Sequence, residues 1–202
     1  MSEKSAANVS RETFDRLKAF EALAVKWTKK INLVSSNDSQ HIWDRHIVDS
    51  LQVYQLAPTE GDWLDLGSGG GFPGLVAAIL AKEAQPARRF TLVDSDQRKC
   101  TFLRTVAREL ELNVSVLSER INDVPPQDAS VVSARALAEL STLLEFADRH
   151  MRADGIALFL KGARWREESA DAKRKWQYVE EAVQSETNPD AVILKIKEPV
   201  RV

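Results

Sequence analysis

The chain has little of what staples, anchors or metallates many proteins. Its single cysteine, Cys100, cannot form an intramolecular disulfide, and its three histidines, His41, His46 and His150, are scattered, so no Cys/His group has metal-ligand spacing. A reducing, cytoplasmic setting and no metal are therefore expected. No apolar run approaches the ~18 residues of a membrane span, and the opening residues MSEKSAANVSRE lack the apolar core of a signal peptide, so a soluble protein with no membrane partner is expected. With 28 Lys and Arg against 30 Asp and Glu the net charge is −2. No protein-wide positive field announces a nucleic acid, and any such contact must come from a local basic patch such as Arg88-Arg89, Arg98-Lys99 or Lys173-Arg174-Lys175. A nucleophile elbow, a Walker-type phosphate loop and a zinc-protease helix motif are all missing, which leaves hydrolase and kinase readings without residues to act.

What is present is a rhythm. From Ser10, a good N-cap, Phe14, Leu17, Phe20, Leu23 or Ala24, Trp27 and Ile31 recur at helical steps. After the polar break SSNDSQ, a second helical pattern carries Ile42, Trp43, Ile47, Leu51 and Tyr54 and stops before Pro58. The pair reads as a helical extension over 1–57, ahead of a main domain over 58–202, the whole forming one compact unit. Short apolar strands then alternate with helices: WLDLG, a helix from about Pro73 to Lys82, RFTLVD, a helix from about Asp96 to Leu110, and NVSVLS. SVVSA follows, then a helix over about Ala136 to His150, and GIALFLKG. Strands separated by crossover helices imply a doubly wound α/β fold with a mostly parallel sheet. At the end, Arg164 to Lys175 reads as helix, while Trp176 to Gln184 and Ala191 to Lys197 read as an antiparallel hairpin closing the sheet.

In such a sheet, ligands settle at the carboxyl ends of the strands beside the first one, where LDLGSGGGFPG lies. Five glycines between Gly67 and Gly74 let the backbone turn sharply and approach a ligand, and Pro73 suits the first turn of the next helix. Gly69, Gly71 and Gly74 match the dinucleotide spacing, but the glycine leaving the strand is Gly67, and from there the spacing breaks at Phe72. Asp65, two residues before Gly67, gives the turn the form it takes in methyltransferases. Asp94 ends the second strand, placed to accept both ribose hydroxyls of an adenosine, a role that either cofactor class would use. The loop from Glu119 to Asp123 is placed to bracket an adenine. A methyl on a sulfonium is already activated, so a site of this kind needs positioning more than catalytic groups. The fourth strand is followed by SARALAEL and not by the Asn/Asp-Pro-Pro-aromatic motif of exocyclic-amine methyltransferases, while Cys100 reads as packing. A target with a free lone pair is left, and guanine N7 is one.

In order, NLVSS at Asn32, RHIVDS at Arg45, DLGSGGGFPG at Asp65, VDSDQRKCTFLR at Val93, SER at Ser118, SARAL at Ser133 and LKG at Leu160 resemble the bacterial small-subunit ribosomal RNA guanosine-N7 methyltransferase family, also called glucose-inhibited division protein B. The resemblance spans about Ile31 to the C-terminus. It implies S-adenosylmethionine as cofactor, 16S ribosomal RNA or the small subunit as partner, and methyl transfer to N7 of a guanine in a decoding-region loop, by a protein expected to be a monomer. It places cofactor contacts on Gly67, Phe72, Ile121, Asn122 and Arg135, to which the physical argument adds Gly69 and Asp94. It places the RNA side on Asn32, Arg45, His46, Arg120 and Lys161. No general base is identified; Arg135 and His46 are the candidates for positioning. Asp49 and Ser50 follow on the same helix, and Asp49, four residues after Arg45, can pair with it. A small-molecule methyltransferase of the same fold is the alternative, followed by a nicotinamide oxidoreductase and a non-catalytic ribosome-binding protein.

Overall fold

The computed structural model of the chain describes residues 9–34 and 41–202. The polar break at 35–40 and the opening residues 1–8 lie outside them. Helix α1 spans Arg11–Ile31. Ser10 caps it, its Oγ accepting the Thr13 N–H at 3.0 Å, and Asn32 ends it in the left-handed region at φ 51°. Its buried line is Thr13, Leu17, Phe20, Ala24 and Thr28, with Phe14, Leu23, Trp27 and Ile31 half-buried on the flanks. The second helical pattern is not one regular helix. Trp43–Ile47 form a π-turn, in which the Val48 N–H reaches back to the Trp43 carbonyl, and α2 (Val48–Leu56) continues from it. His46, Ile47 and Val48 are buried in succession where the wider turn passes into α2.

The sheet has seven strands in the order β3-β2-β1-β4-β5-β7-β6. Five are parallel: β1 (Trp63–Leu66), β2 (Phe90–Val93), β3 (Val114–Leu117), β4 (Ala129–Arg135) and β5 (Met151–Lys161). β7 (Val192–Arg201) runs antiparallel between β5 and β6 (Trp176–Gln184). The connecting helices are α3 (Gly74–Ala84), α4 (Gln97–Glu109), α5 (Leu140–His150) and α6 (Trp165–Ala172). One apolar core joins α1, α2, α3 and α4 to Trp63, Phe90 and Leu92 on one face. A second joins α5 and α6 to Leu64, Leu66 and Val93 on the other. Burial on both faces explains why the central strands read as unbroken apolar runs. Phe20 packs against Phe72 and Phe102 with ring centroids 5.1 and 6.4 Å apart, so α1 shares the main core.

Three boundaries differ from the sequence expectations. The helix after β4 begins at Leu140 and not near Ala136, because Ala136 sits at φ 50°, the chain bends through Ala138, and Glu139 is extended. Its first amide is capped from afar: the Leu140 N–H donates to Glu168 Oε2 at 3.0 Å. β5 starts at Met151, four residues early, through an irregular register opposite Ala129 and Val131. A Cβ on Gly155 there would stand 2.9 and 3.0 Å from the Arg152 and Ala129 carbonyls, so only glycine lets the backbones approach. Finally, β7 continues past Lys197 to Arg201, with Glu198 at φ 52° opposite the irregular stretch between Gln177 and Val179.

Candidate functional site

The order of strands reverses between β1 and β4, and the glycine turn leaves β1 at this point. Gly67, Gly69 and Gly71 have φ of 63°, 51° and 85°, backbone that a side chain opposes. Their amides are held: the Gly69 N–H donates to Asp94 Oδ2 at 2.8 Å, and the Gly71 N–H to the Ser68 carbonyl at 2.7 Å. Asp94 Oδ1 accepts the Asp96 N–H at 2.8 Å, so one carboxylate joins the end of β2 to the turn. Gly74 serves a different need. A Cβ there would meet Asp65 Oδ2 at 2.7 Å, so glycine lets α3 close over the buried Asp65. Pro73 stands one residue ahead of α3, its carbonyl accepting the Ala77 N–H at 2.9 Å.

Asp65 is fully buried below the turn. Ser133 Oγ donates to its Oδ1 at 2.6 Å and itself accepts from Trp63 Nε1 at 2.8 Å. Burial pushes the Asp65 carboxyl up to about 6; the hydroxyls of Ser133 and Ser68 oppose that rise. Ser133 was legible only as part of SARAL, and nothing in its sequence context pointed to this contact.

Two cavities meet at Ala136. One, of about 530 Å³, is lined by Gly67, Asp94, Arg120, Ile121, Asn122 and Leu137. It therefore gathers four of the expected cofactor residues. It also holds Arg120, which was expected on the RNA side. The second, of about 550 Å³, is lined by Arg45, His46, Asp49, Arg135, Lys161 and Glu168. Arg135, expected against the cofactor, is on this side. Both volumes are those of small-molecule sites.

His46 and Arg135 both line the second cavity, while Ala136 lines both. His46 is buried with its ring 5.1 Å from that of Phe72, and the Arg135 guanidinium meets both His46 Nδ1 and the Phe72 face. A guanidinium has only donors, so this contact requires Nδ1 to accept. Phe72 and Gly69 line neither cavity; Phe72 packs behind His46, and Gly69 acts through Asp94. Asn32 also lines neither and terminates α1. Lys161 is nearly enclosed, paired with Glu168 and donating to the Ala138 carbonyl at 2.9 Å. The Asp49 carboxylate, expected near Arg45, accepts from Ser185 and Thr187 of the β6–β7 turn, contacts that no local period reveals.

Other readings also change. Arg88 is not part of a basic patch: it is buried, donating to the Pro58 carbonyl at 3.0 Å and lying 5.0 Å from the Trp63 ring. Its neighbour Arg89 pairs with Asp62. Cys100 is buried, its Sγ donating to the Asp94 carbonyl at 3.1 Å, and burial pushes the thiol up. Among the described residues no group of His, Cys, Asp and Glu could hold a metal ion, and no helix is long and apolar enough to cross a membrane.

Comparison with known proteins gives these features a context. A family model described as rRNA small subunit methyltransferase G matches residues 13–192. The ribosomal RNA small subunit methyltransferase G of Ruegeria pomeroyi is 53% identical over 195 residues, covering 96% of this chain and 96% of that protein. That of Gluconobacter oxydans is 44% identical over 194 residues, covering 96% and 98%. Among solved structures, a TehB-like SAM-dependent methyltransferase from Corynebacterium glutamicum superposes with a TM-score of 0.60 at 16% identity, covering 88% of this chain and 98% of that one. A SAM-dependent methyltransferase from Aquifex aeolicus gives 0.60 at 16% identity over 86% and 98%. At these identities the structures establish the doubly wound methyltransferase fold.

Proposed function

The chain belongs to the rRNA small subunit methyltransferase G family, and from that premise we propose that it transfers a methyl group from S-adenosylmethionine to N7 of a guanine in a decoding-region loop of 16S ribosomal RNA. The observation that carries this reading is the pair of cavities meeting at Ala136, one opening on the Gly67 turn and Asp94, the other on His46, Arg135 and Asp49. When bound, the cofactor supplies a methyl already activated on a sulfonium. The residues fit it: among the described residues a Cβ on Gly69 would have only the Gly67 carbonyl within 4 Å, and Asp94 is fixed by two backbone amides.

Gly67, Gly69, Asp94, Ile121 and Asn122 hold the adenosine end, with Arg120 at its rim. Asp94 accepts from the ribose hydroxyls through the lone pairs that the amides leave. His46 and Arg135 stand at the reactive end, packed on Phe72, and keep water from the transfer path. N7 of guanine carries an in-plane lone pair and loses no proton on attack, so the site needs no general base. Arg45, with the end of α1 at Asn32, faces the RNA, while Lys161, paired with Glu168, lines the same cavity as Arg45. The π-turn and α2 thus wall one side of the acceptor cavity through Arg45, His46 and Asp49. A monomer working in the cytoplasm on the rRNA or the small subunit completes the reading.

The test supplies labelled S-adenosylmethionine to small subunits from cells lacking the protein, followed by borohydride–aniline cleavage at 7-methylguanosine. Label in the RNA with cleavage at one guanine is expected. Label without cleavage rejects N7, and no label rejects the enzyme.

A further inference from the structure

Among the described residues two carboxylates line the acceptor cavity, and their situations differ. Glu168 is committed, to the Lys161 ammonium and to the first amide of α5. Asp49 is not matched in this way. Its Oδ1 accepts from Ser185 Oγ at 2.9 Å and from Thr187 Oγ1 at 2.6 Å, two neutral donors on one oxygen. These orient the carboxylate, and among the described residues no hydroxyl meets Oδ2. Fastening α2 to the β6–β7 turn does not need a carboxylate, because Gln52 does so from one turn along. Its Nε2 donates to the Gln184 carbonyl at 2.7 Å and its Oε1 accepts the Glu186 N–H at 3.1 Å.

We propose that Asp49 selects guanine by accepting hydrogen bonds from N1–H and the N2 amino group of the acceptor base, an inference that rests on the function proposed above. A guanine seated in this cavity with N7 toward the Ala136 junction turns its N1–H and N2 edge away from that junction, and Asp49 is a lining carboxylate able to receive that edge. Adenine offers a lone pair at N1 and no N2 amino group, so it meets an acceptor-only carboxylate with repulsion. The charge also serves the transfer. The N7 lone pair forms the new bond to the methyl carbon, the carbon–sulfur bond breaks with its pair going to sulfur, and the purine is left cationic with no proton lost. A carboxylate fixed at the far edge stabilises that developing charge.

The experiment uses small subunits reconstituted around rRNA whose target guanosine is kept or replaced by inosine, which lacks the N2 amino group, or by 7-deazaguanosine. Wild-type protein should methylate the inosine subunits about 10- to 100-fold more slowly than the guanosine ones, as expected for a lost hydrogen bond to a charged group. Asp49→Asn should bind S-adenosylhomocysteine like wild type, lose a similar factor on guanosine, and discriminate inosine hardly at all. If Asp49→Asn is slower but keeps the full guanosine-to-inosine ratio, or if wild type does not discriminate, Asp49 is a structural tie and the proposal fails. Labelling of 7-deazaguanosine subunits at the guanosine rate, or no labelling of guanosine subunits, would instead overturn the function on which it rests. Should Asp49→Asn fail to bind S-adenosylhomocysteine, Thr187→Val replaces it; this removes one orienting hydroxyl and should lower the ratio, and an unchanged ratio refutes the proposal.

Discussion

Replacing Asp65 by Asn should change how the stability of this protein depends on pH. Asp65 is fully buried among Trp63, Ser133 and Gly74, and its carboxyl is pushed from 3.8 up to about 6, chiefly by burial. Because the folded state binds this proton more tightly than the unfolded chain, the contribution to stability is fully present below pH ~4 and is lost as pH rises through about 6. At about 1.4 kcal/mol per tenfold change in proton affinity, the loss amounts to about 3 kcal/mol, roughly half of it between pH 5 and 7.5. This runs opposite to the usual carboxylate, which gains from pairing as pH rises. Asn keeps the acceptor for Ser133 but cannot ionise. Urea unfolding from pH 5 to 8 should therefore give an Asp65→Asn curve that gains on wild type by about 1.5 kcal/mol across that range, whatever constant offset the amide introduces. Parallel curves would refute the reasoning, since they would mean that Asp65 titrates alike in the folded and unfolded chains.

Asp94→Ala should weaken binding of S-adenosylhomocysteine, measured by calorimetry, by roughly 1–3 kcal/mol, because it removes the acceptor of the Gly69 and Asp96 amides together with the proposed ribose contact. Unchanged affinity would remove Asp94 from the site. The Cys100 thiol, buried against the Asp94 carbonyl and pushed up by burial, should react with iodoacetamide at pH 8 on the order of 100-fold more slowly in the native protein than in urea. A native rate equal to that of an exposed thiol would contradict its packing.

Much of this molecule was legible in one dimension because the signals are local. Ser10 and Asp96 announce helix starts by offering a side-chain acceptor to amides three or two residues on, and alternation of apolar strands with helices decides the sheet class. The glycine turn is equally local: positive φ at Gly67, Gly69 and Gly71 is a property of single residues. Asp94 follows from the spacing of a βαβ unit, and Ile121 and Asn122 from the end of the third strand, and all three line one cavity.

Other features depend on pairs of residues far apart in the chain, and no period encodes those. The left-handed Ala136 delays α5 and lets Leu137 cover Gly67, where an added Cβ would stand 2.6 Å away. Helical spacing suggested an Arg45–Asp49 pair, but the π-turn and the β6–β7 hairpin carry the Asp49 carboxylate to Ser185 and Thr187. Arg88 reads as surface charge beside Arg89, yet the ring of Trp63 and the Pro58 carbonyl take it inward. The sequence by itself thus determined the fold class, the cofactor turn and the family, since each rests on backbone conformation or on motif order. Only the tertiary structure decided which side chains share a cavity, which charges are spent on one another, and where Arg135 and Asp49 stand, because burial and hydrogen-bond partners are set by packing across the chain.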